Sequence, residues 1–267
     1  MNKIKNILLL NPDSIPLYLL RSIQEELVNT FVKFQGFEVN IVTANKLEAV
    51  SSITFDLVVY VPAVNSLVRT FIHDIRKVKS EVPILVVVDA DTNDDDVATK
   101  ACRLEQGVSL VVGENVWNFL GAMAYHLLND PMGRFFMNYI YYVPLDLLVE
   151  DELSYANAIF NELNENGNNI ISSTNPDAAL VIFQKLFECI THVVSDYNFA
   201  PDQMKGVELM IEFRKISDGF YPAILTDYAE KVLGEVIDTK IESIPVFQKT
   251  EVELNTITDW IQNTKGG

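Results

Sequence analysis

The chain has 267 residues, of which 49% are hydrophobic and 21% charged, and its net charge at pH 7 is −17. This composition can fill a sizeable core, which excludes a disordered or low-complexity chain. The excess of acidic residues argues against nucleic acid and anionic membranes as partners. No apolar run is long enough to suggest a membrane span or a signal peptide, so we predict a cytoplasmic protein.

The first half of the chain alternates short apolar runs with amphipathic segments, in the order strand then helix. The apolar runs predict strands over Lys5–Leu10, Phe37–Thr43, Asp56–Val61, Pro83–Val88 and Val108–Val112. The amphipathic segments predict helices over Ile15–Phe34, Leu47–Ser52, Ser66–Lys79, Asp94–Glu105 and Val116–Leu128. Five such units predict an α/β domain over residues 1–129, built on a five-stranded, parallel, doubly wound sheet of the flavodoxin type.

The second half shows helical periodicity and no comparable strands, and no internal repeat is visible. Helices are predicted over Asp151–Leu163, Asp177–Tyr197 and Val252–Ile261, with two more opening at Pro201 and Pro222. These helices predict an acidic, all-α bundle over residues 151–267. Residues 130–150 are assigned to a linker, whose aromatic stretch from Phe135 to Tyr142 is interpreted as a joint between domains or a short strand.

The order and spacing of the first-half strands resemble the receiver domain of bacterial response regulators, over about residues 4–128. The stretches that carry the resemblance are Ile7–Asp13, Phe55–Val61, Val82–Val88 and Gly107–Val112. In that family an acidic pair after the first strand binds Mg²⁺, and an aspartate at the end of the third strand accepts a phosphoryl group. A Thr or Ser at the end of the fourth strand and a Lys at the end of the fifth contact the phosphoryl oxygens.

This sequence departs from the family pattern at each of those positions. The acidic pair falls on Asn11 and Pro12, which leaves Asp13 as the nearby acid, and the phosphoacceptor position falls on Val61. The hydroxyl and lysine positions fall on Val88 and Glu114. Valine offers no oxygen to phosphorylate, and glutamate repels phosphate. The resemblance therefore implies a pseudo-receiver that keeps the fold and has lost phosphorylation.

Other polar residues give weaker signals. The acids after the fourth strand could hold a divalent cation, but a solvated loop that caps the next helix is the preferred interpretation; they are Asp89, Asp91, Asp94, Asp95 and Asp96. A catalytic pair of Asp13 and Asp89 is an outside possibility, because no nucleophile accompanies it. His73, His126 and His192 lack ligand spacing and are interpreted as packing or surface residues. Cys102 and Cys189 are interpreted as reduced core residues, and no metal or cofactor is expected.

We therefore predict a signalling adaptor of a two-component system, without enzymatic activity, that acts through protein–protein contacts independently of phosphorylation. Its expected partners are other signalling proteins and, in a homodimer, a second copy of the chain. Two alternatives stay open. The chain could be the regulatory part of a larger cyclic-dinucleotide enzyme, or a clock-type dimeric regulator that pairs a pseudo-receiver with a helical bundle.

Overall fold

The structure, a computed structural model, describes residues 3–10, 17–34, 37–46, 54–62, 67–88, 102, 105–113, 119–138, 144–229, 232–233, 244–249 and 254–265. The chain divides into two compact units, Met1–Tyr142 and Val143–Gly267. The predicted helix at Leu47–Ser52 and most of the predicted helix at Asp94–Glu105 lie outside the described residues. In the part of the chain that is described, no helix combines the length and apolar character that crossing a bilayer requires.

The first unit is an α/β fold on a parallel sheet. Its elements in chain order are β1 Lys3–Leu10, α1 Leu17–Phe34, β2 Phe37–Ala44, β3 Leu57–Tyr60, α2 Val68–Val78, β4 Ile84–Val88, β5 Val108–Val112, α3 Leu120–Asn129 and β6 Arg134–Asn138. The strand order is β2-β1-β3-β4-β5-β6, and the paired neighbours run parallel. Strands β3, β4 and β5 are buried along their whole length, as expected of strands that are covered on both faces.

The five predicted strands are present, but the predicted count is wrong because β6 adds a sixth. This strand begins at Arg134 and contains the first aromatic residues of the stretch that was assigned to the linker. Phe135, Phe136 and Met137 are buried, and the Phe135 amide donates a hydrogen bond to the Ser109 hydroxyl at 3.0 Å. Burial of these side chains against β5 makes the short aromatic run a strand and not a connection.

The second unit is also α/β, so the predicted all-α bundle is wrong. Its elements are β7 Leu145–Val149, α4 Leu153–Glu165, β8 Asn169–Ser173, α5 Pro176–Leu186, β9 Ile190–Asp196, α6 Gly206–Ile216, β10 Tyr221–Thr226, β11 Val246–Gln248 and α7 Leu254–Lys265. The strand order within the unit is β11-β10-β9-β7-β8, and the paired strands are parallel. If the strands of each unit are numbered from its own first strand, the first five strands of both units lie in the order 2-1-3-4-5.

The helical interpretation failed where a strand follows a helix without a change in composition. The predicted helix over Asp177–Tyr197 is two elements, α5 and β9. Its apolar stripe continues through Ile190 and Val193 because β9 is almost entirely buried, and a strand covered on both faces has no alternation to reveal it. Pro222, which predicted a helix start, instead lies in β10 opposite Val193.

Some of the helices predicted in the second unit are present. The Asn175 side chain caps α5 by accepting hydrogen bonds from the amides of Asp177 and Ala178, at 2.8 and 3.3 Å. Helices α4 and α7 also lie where helices were expected. The predicted linker over residues 130–150, however, holds both β6 and β7.

Gly167 allows a test of the turn between α4 and β8. Its φ of +80° is in the left-handed region, and no atom lies within 4 Å of where a Cβ would be. Gly167→Ala should therefore lower the free energy of unfolding through backbone strain alone, by about 1–2 kcal/mol. Gly167→Asn should recover part of the loss, because Asn tolerates this conformation. Urea unfolding of both variants checks this, and equal stabilities of wild type and G167A would contradict it.

Candidate functional site

Only part of the predicted site of the first unit can be located. Asn11, Pro12, Asp13 and Glu114 lie outside the described residues, as do the five aspartates of the loop after β4. Val61 and Val88 are described and buried.

The strand register shows which described residues of the first unit meet at the carboxyl edge of its sheet. Leu10 pairs with Tyr60, and the Val61 amide donates to the Leu10 carbonyl at 3.3 Å, so Val61 lies beside the end of β1. Val88 pairs with Val112, and the next residue, Gly113, donates its amide to the Val88 carbonyl at 3.2 Å. Val61, Val88 and Gly113, the described residues that follow or end β3, β4 and β5 at this edge, carry no ionisable side chain.

The same register in the second unit brings different side chains to the equivalent edge. Val149 pairs with Ser195, so Glu150 follows β7 beside Asp196, the last residue of β9. Asp196 pairs with Leu225, which places Thr226 at the end of β10. Thr226 pairs with Gln248, the last residue of β11, and Lys249 follows. By this count, Asp196 corresponds to Val61, Thr226 to Val88, and Lys249 to Gly113, one residue before Glu114.

Lys249 joins the two buried carboxylates of this edge. Its Nζ lies 2.9 Å from Glu150 Oε1, 2.8 Å from Glu150 Oε2 and 3.1 Å from Asp196 Oδ2. The Glu150 side chain is fully buried and that of Asp196 nearly so, whereas Asp151 is exposed. One carboxylate oxygen from each of Glu150, Asp151 and Asp196 lies within 4.8 Å of the others. We call the set of Glu150, Asp151, Asp196, Thr226 and Lys249 the acidic pocket.

The pocket holds more negative charge than Lys249 balances. Burial, together with the charge of Asp196, raises the pKa of Glu150 to about 7, although Lys249 and the Glu152 amide act in the opposite direction. Burial also raises the pKa of Asp196 against the effect of Lys249. Burial alone would lower the pKa of Lys249, but Glu150 and Asp196 outweigh it, so this pKa is raised and the ammonium stays charged.

The acidic pocket has the donor set of a Mg²⁺ or similar divalent site. Three carboxylates within reach of one another supply the hard oxygen ligands that such cations prefer. With all three ionised, the ammonium of Lys249 leaves two negative charges uncompensated, which a divalent cation would neutralise. The residues therefore fit the metal that the receiver family uses at its acidic positions.

The backbone around Asp196 is tightly packed. Gly206, the first residue of α6, touches it so closely that a Cβ there would overlap the Asp196 carbonyl oxygen. The same carbonyl accepts a hydrogen bond from the Ser195 hydroxyl at 2.8 Å. At the neighbouring strand end, the Thr226 hydroxyl accepts the Tyr228 amide at 3.1 Å, and the Thr226 carbonyl accepts the Lys249 amide at 2.8 Å. These contacts fix the main chain at Asp196 and Thr226.

The predicted histidines lie away from this pocket. His73 is exposed on α2, and His126 is buried on α3 with its ring edge-on to Phe135. His192 is in β9 and not on a helix: its Nδ1 lies 3.0 Å from Asp146 Oδ1, and its Nε2 lies 2.8 Å from Thr264 Oγ1.

Lys265 completes the network around His192. Its Nζ donates to Asp146 Oδ2 at 3.1 Å and to Asn168 Oδ1 at 2.7 Å. The network lies at the amino ends of the strands, opposite to the acidic pocket, and it ties the last turn of α7 to the sheet.

No protein-family model matches the chain, and no curated protein sequence does. Structural similarities were found to a response-regulator receiver domain protein from Clostridium thermocellum, with 20% identity, coverage of 45% of this chain and 93% of that one, and a TM-score of 0.40. The E. coli RcsC C-terminus, which contains a linker region and phosphoreceiver domain, is 13% identical, with coverage of 98% and 94% and a TM-score of 0.42. A probable two-component response regulator/GGDEF domain protein is 13% identical, with coverage of 97% of both chains and a TM-score of 0.38. At these scores, the interpretation of each unit rests on its own strand order and side chains.

Substitution of Gly206 tests the packing behind Asp196. Gly206→Ala should lower the free energy of unfolding by about 1–3 kcal/mol, because the methyl group must displace backbone. Gly219→Ala is the matched control, since a Cβ there would meet nothing closer than the Ser217 hydroxyl at 3.4 Å. Chemical denaturation of both variants gives the comparison. If G206A unfolds at the same denaturant concentration as G219A, the close contact is absent.

The raised pKa of Glu150 predicts how stability changes with pH in the presence of a chelator. The folded state holds this proton more tightly than the unfolded state, so the free energy of unfolding should fall as pH rises from about 4.5 to about 7. The contribution is on the order of 3 kcal/mol at most. Glu150→Gln should lack this pH dependence. The difference in free energy of unfolding between the variant and wild type should therefore widen towards neutral pH. A gap that does not change with pH would contradict the shift.

Proposed function

We propose that the second unit is a phosphoryl-accepting receiver domain of a two-component signalling protein, with Asp196 as the acceptor. The observation that carries the proposal is the convergence of Glu150, Asp151, Asp196, Thr226 and Lys249 on one sheet edge. Each of these residues stands at the strand end where the family that the first unit resembles has its acidic pair, acceptor, hydroxyl or lysine.

Each residue of the acidic pocket has a role that its chemistry supports. Glu150, Asp151 and Asp196 would hold the divalent cation, which supplies charge neutralisation of the phosphoryl oxygens when it is bound. The ammonium of Lys249 and the hydroxyl of Thr226 are donors suited to phosphoryl oxygens. The close packing of Gly206 fixes the main chain of Asp196, and Lys249 holds its carboxylate at 3.1 Å, which together favour in-line attack.

The proposed transfer needs no proton at the acceptor. A carboxylate oxygen of Asp196 attacks the phosphorus of an acyl phosphate or a phosphohistidine and forms a new O–P bond. The bond between phosphorus and the donor atom breaks, and its electron pair leaves with the donor. Hydrolysis restores the free carboxylate: water attacks the phosphorus, the O–P bond to Asp196 breaks, and its electron pair returns to the carboxylate. Inorganic phosphate leaves with the oxygen and both protons of the water, and it exchanges these protons with the solvent.

For the first unit we propose a pseudo-receiver that acts through protein contacts. The support is the chemistry of Val61, Val88 and Gly113, none of which can accept or contact a phosphoryl group as the family residues do. A phosphorylation-independent role is thus proposed for this unit alone, because the expectation for the whole chain was drawn from a second half interpreted as helical. The proposed partners are a phosphodonor for the second unit and signalling proteins for the first.

Phosphorylation is tested with a small acyl phosphate. The intact chain with acetyl phosphate and Mg²⁺ should gain one acyl phosphoryl group, labile in both acid and base, detected as a mass increase of about 80 Da. Asp196→Asn should abolish the gain, because an amide is not a nucleophile here. The control is Asp202→Asn, an exposed acid in the loop after β9.

Two outcomes would overturn the proposal. The first is an unmodified wild-type chain at Mg²⁺ and donor concentrations that label a known receiver domain in parallel. The second is labelling that persists in D196N, which would move the acceptor elsewhere. Chelation of Mg²⁺ should reduce the labelling rate by at least about tenfold, since the uncompensated carboxylates then repel the donor.

A further inference from the structure

Tyr155 is a residue of the second unit for which the family pattern provides no role. It lies in the first turn of α4, just after the acidic pair, and the Lys249 Nζ is 5.3 Å from the centre of its ring. At this distance the ring faces the ammonium in a cation–π contact. The aromatic side chain therefore borders the acidic pocket on the side of Lys249.

The hydroxyl of Tyr155 has no hydrogen-bond partner among the described residues, although its oxygen is buried. A buried hydroxyl without a partner costs about 1–3 kcal/mol. The charges that act on it are those of Lys249, Glu150, Asp227 and Glu152, so it lies among the charged groups of the pocket and its rim. Burial raises the pKa of Tyr155, which keeps the hydroxyl protonated and able to donate at neutral pH.

A phosphoryl group would supply the hydrogen-bond acceptor that the Tyr155 hydroxyl lacks. Glu150, whose charge acts on Tyr155, already contacts Lys249 and accepts the Glu152 amide at 3.1 Å through Oε1. A phosphoryl group at Asp196 adds anionic oxygens close to Lys249, and hydrogen bonds to charged acceptors are the stronger ones.

We propose that the Tyr155 hydroxyl is an additional donor to the phosphoryl group, while its ring holds the Lys249 ammonium in place. This rests on the proposed function of the second unit. The hydroxyl then destabilises the unphosphorylated chain, where it lacks a partner, and stabilises the phosphorylated chain, where it donates a hydrogen bond.

Removal of the hydroxyl should weaken binding of a phosphoryl analogue without lowering the stability of the free chain, which gives a test. Beryllofluoride with Mg²⁺ is the probe, because it forms a non-hydrolysable phosphoryl analogue on a carboxylate. Its affinity for the intact chain, measured by calorimetry, should be about tenfold lower in Tyr155→Phe than in wild type. In the absence of the probe, Y155F should unfold at the same temperature as wild type or a few degrees higher, because it removes an unsatisfied buried hydroxyl.

Two further variants separate the ring from the hydroxyl. Tyr155→Leu removes both and should bind beryllofluoride more weakly than Y155F, because Lys249 loses its aromatic contact. Tyr221→Phe is the matched control, because it deletes a tyrosine hydroxyl at the amino end of β10, away from Thr226. It should change neither the affinity for beryllofluoride nor the unfolding temperature. The affinity for Mg²⁺ alone should be the same in wild type and Y155F, since Tyr155 is not one of the proposed ligands.

The outcomes distinguish this inference from the proposed function. Failure of wild type to bind beryllofluoride in the presence of Mg²⁺ would overturn both. Tight binding that is equal in wild type and Y155F would overturn the role of the hydroxyl and leave the receiver intact. A Y155F chain that loses both stability and affinity would show a structural role for the hydroxyl, and would overturn the inference as well.

Discussion

The second unit depends on a constraint that its own fold creates: two buried carboxylates share one ammonium. Parallel strands end side by side, so Glu150, Asp196 and Lys249 must meet wherever the register brings them. Lys249 bridges the acids at 2.8–3.1 Å, but burial still raises the pKa of both carboxyl groups. The unit therefore carries unfavourable repulsion between buried carboxylates, which a divalent cation or a change of protonation relieves. The close packing of Gly206 behind Asp196 holds the main chain of that residue in place.

The two units show how one topology can carry different chemistry. Both place the ends of their first, third, fourth and fifth strands along one edge in the same order. In the first unit the described positions are filled by apolar residues that continue the core, and in the second by residues that can bind a cation and an anion. The network of His192, Asp146 and Lys265 at the opposite edge joins the last helix to the sheet. The polar groups of the second unit are thus concentrated at both ends of its strands.

Sequence reasoning found the strands of the first unit because each is a continuous apolar run with a clear break after it. It failed in the second unit, where strands such as β8, with the sequence Asn-Ile-Ile-Ser-Ser, are short and partly polar. It also failed where β9 continues the apolar stripe of α5. The pocket residues carried a signal that went unused: Glu150-Asp151 directly follows the short apolar run Leu147–Val149, as an acidic pair follows a first strand. Lys249 could not be found in this way, because β11 has only three residues and takes its register from β10.

The apolar edge of the first unit has an evolutionary consequence. A single mutation that placed an aspartate at Val61 would bury a carboxylate beside the end of β1. The described position that corresponds to Lys249 is Gly113, which offers no charge to balance it. Each restoring step would destabilise the chain until the others were in place, so natural selection would remove the intermediates. For the pseudo-receiver proposed here, a return to phosphorylation would therefore need several substitutions at once.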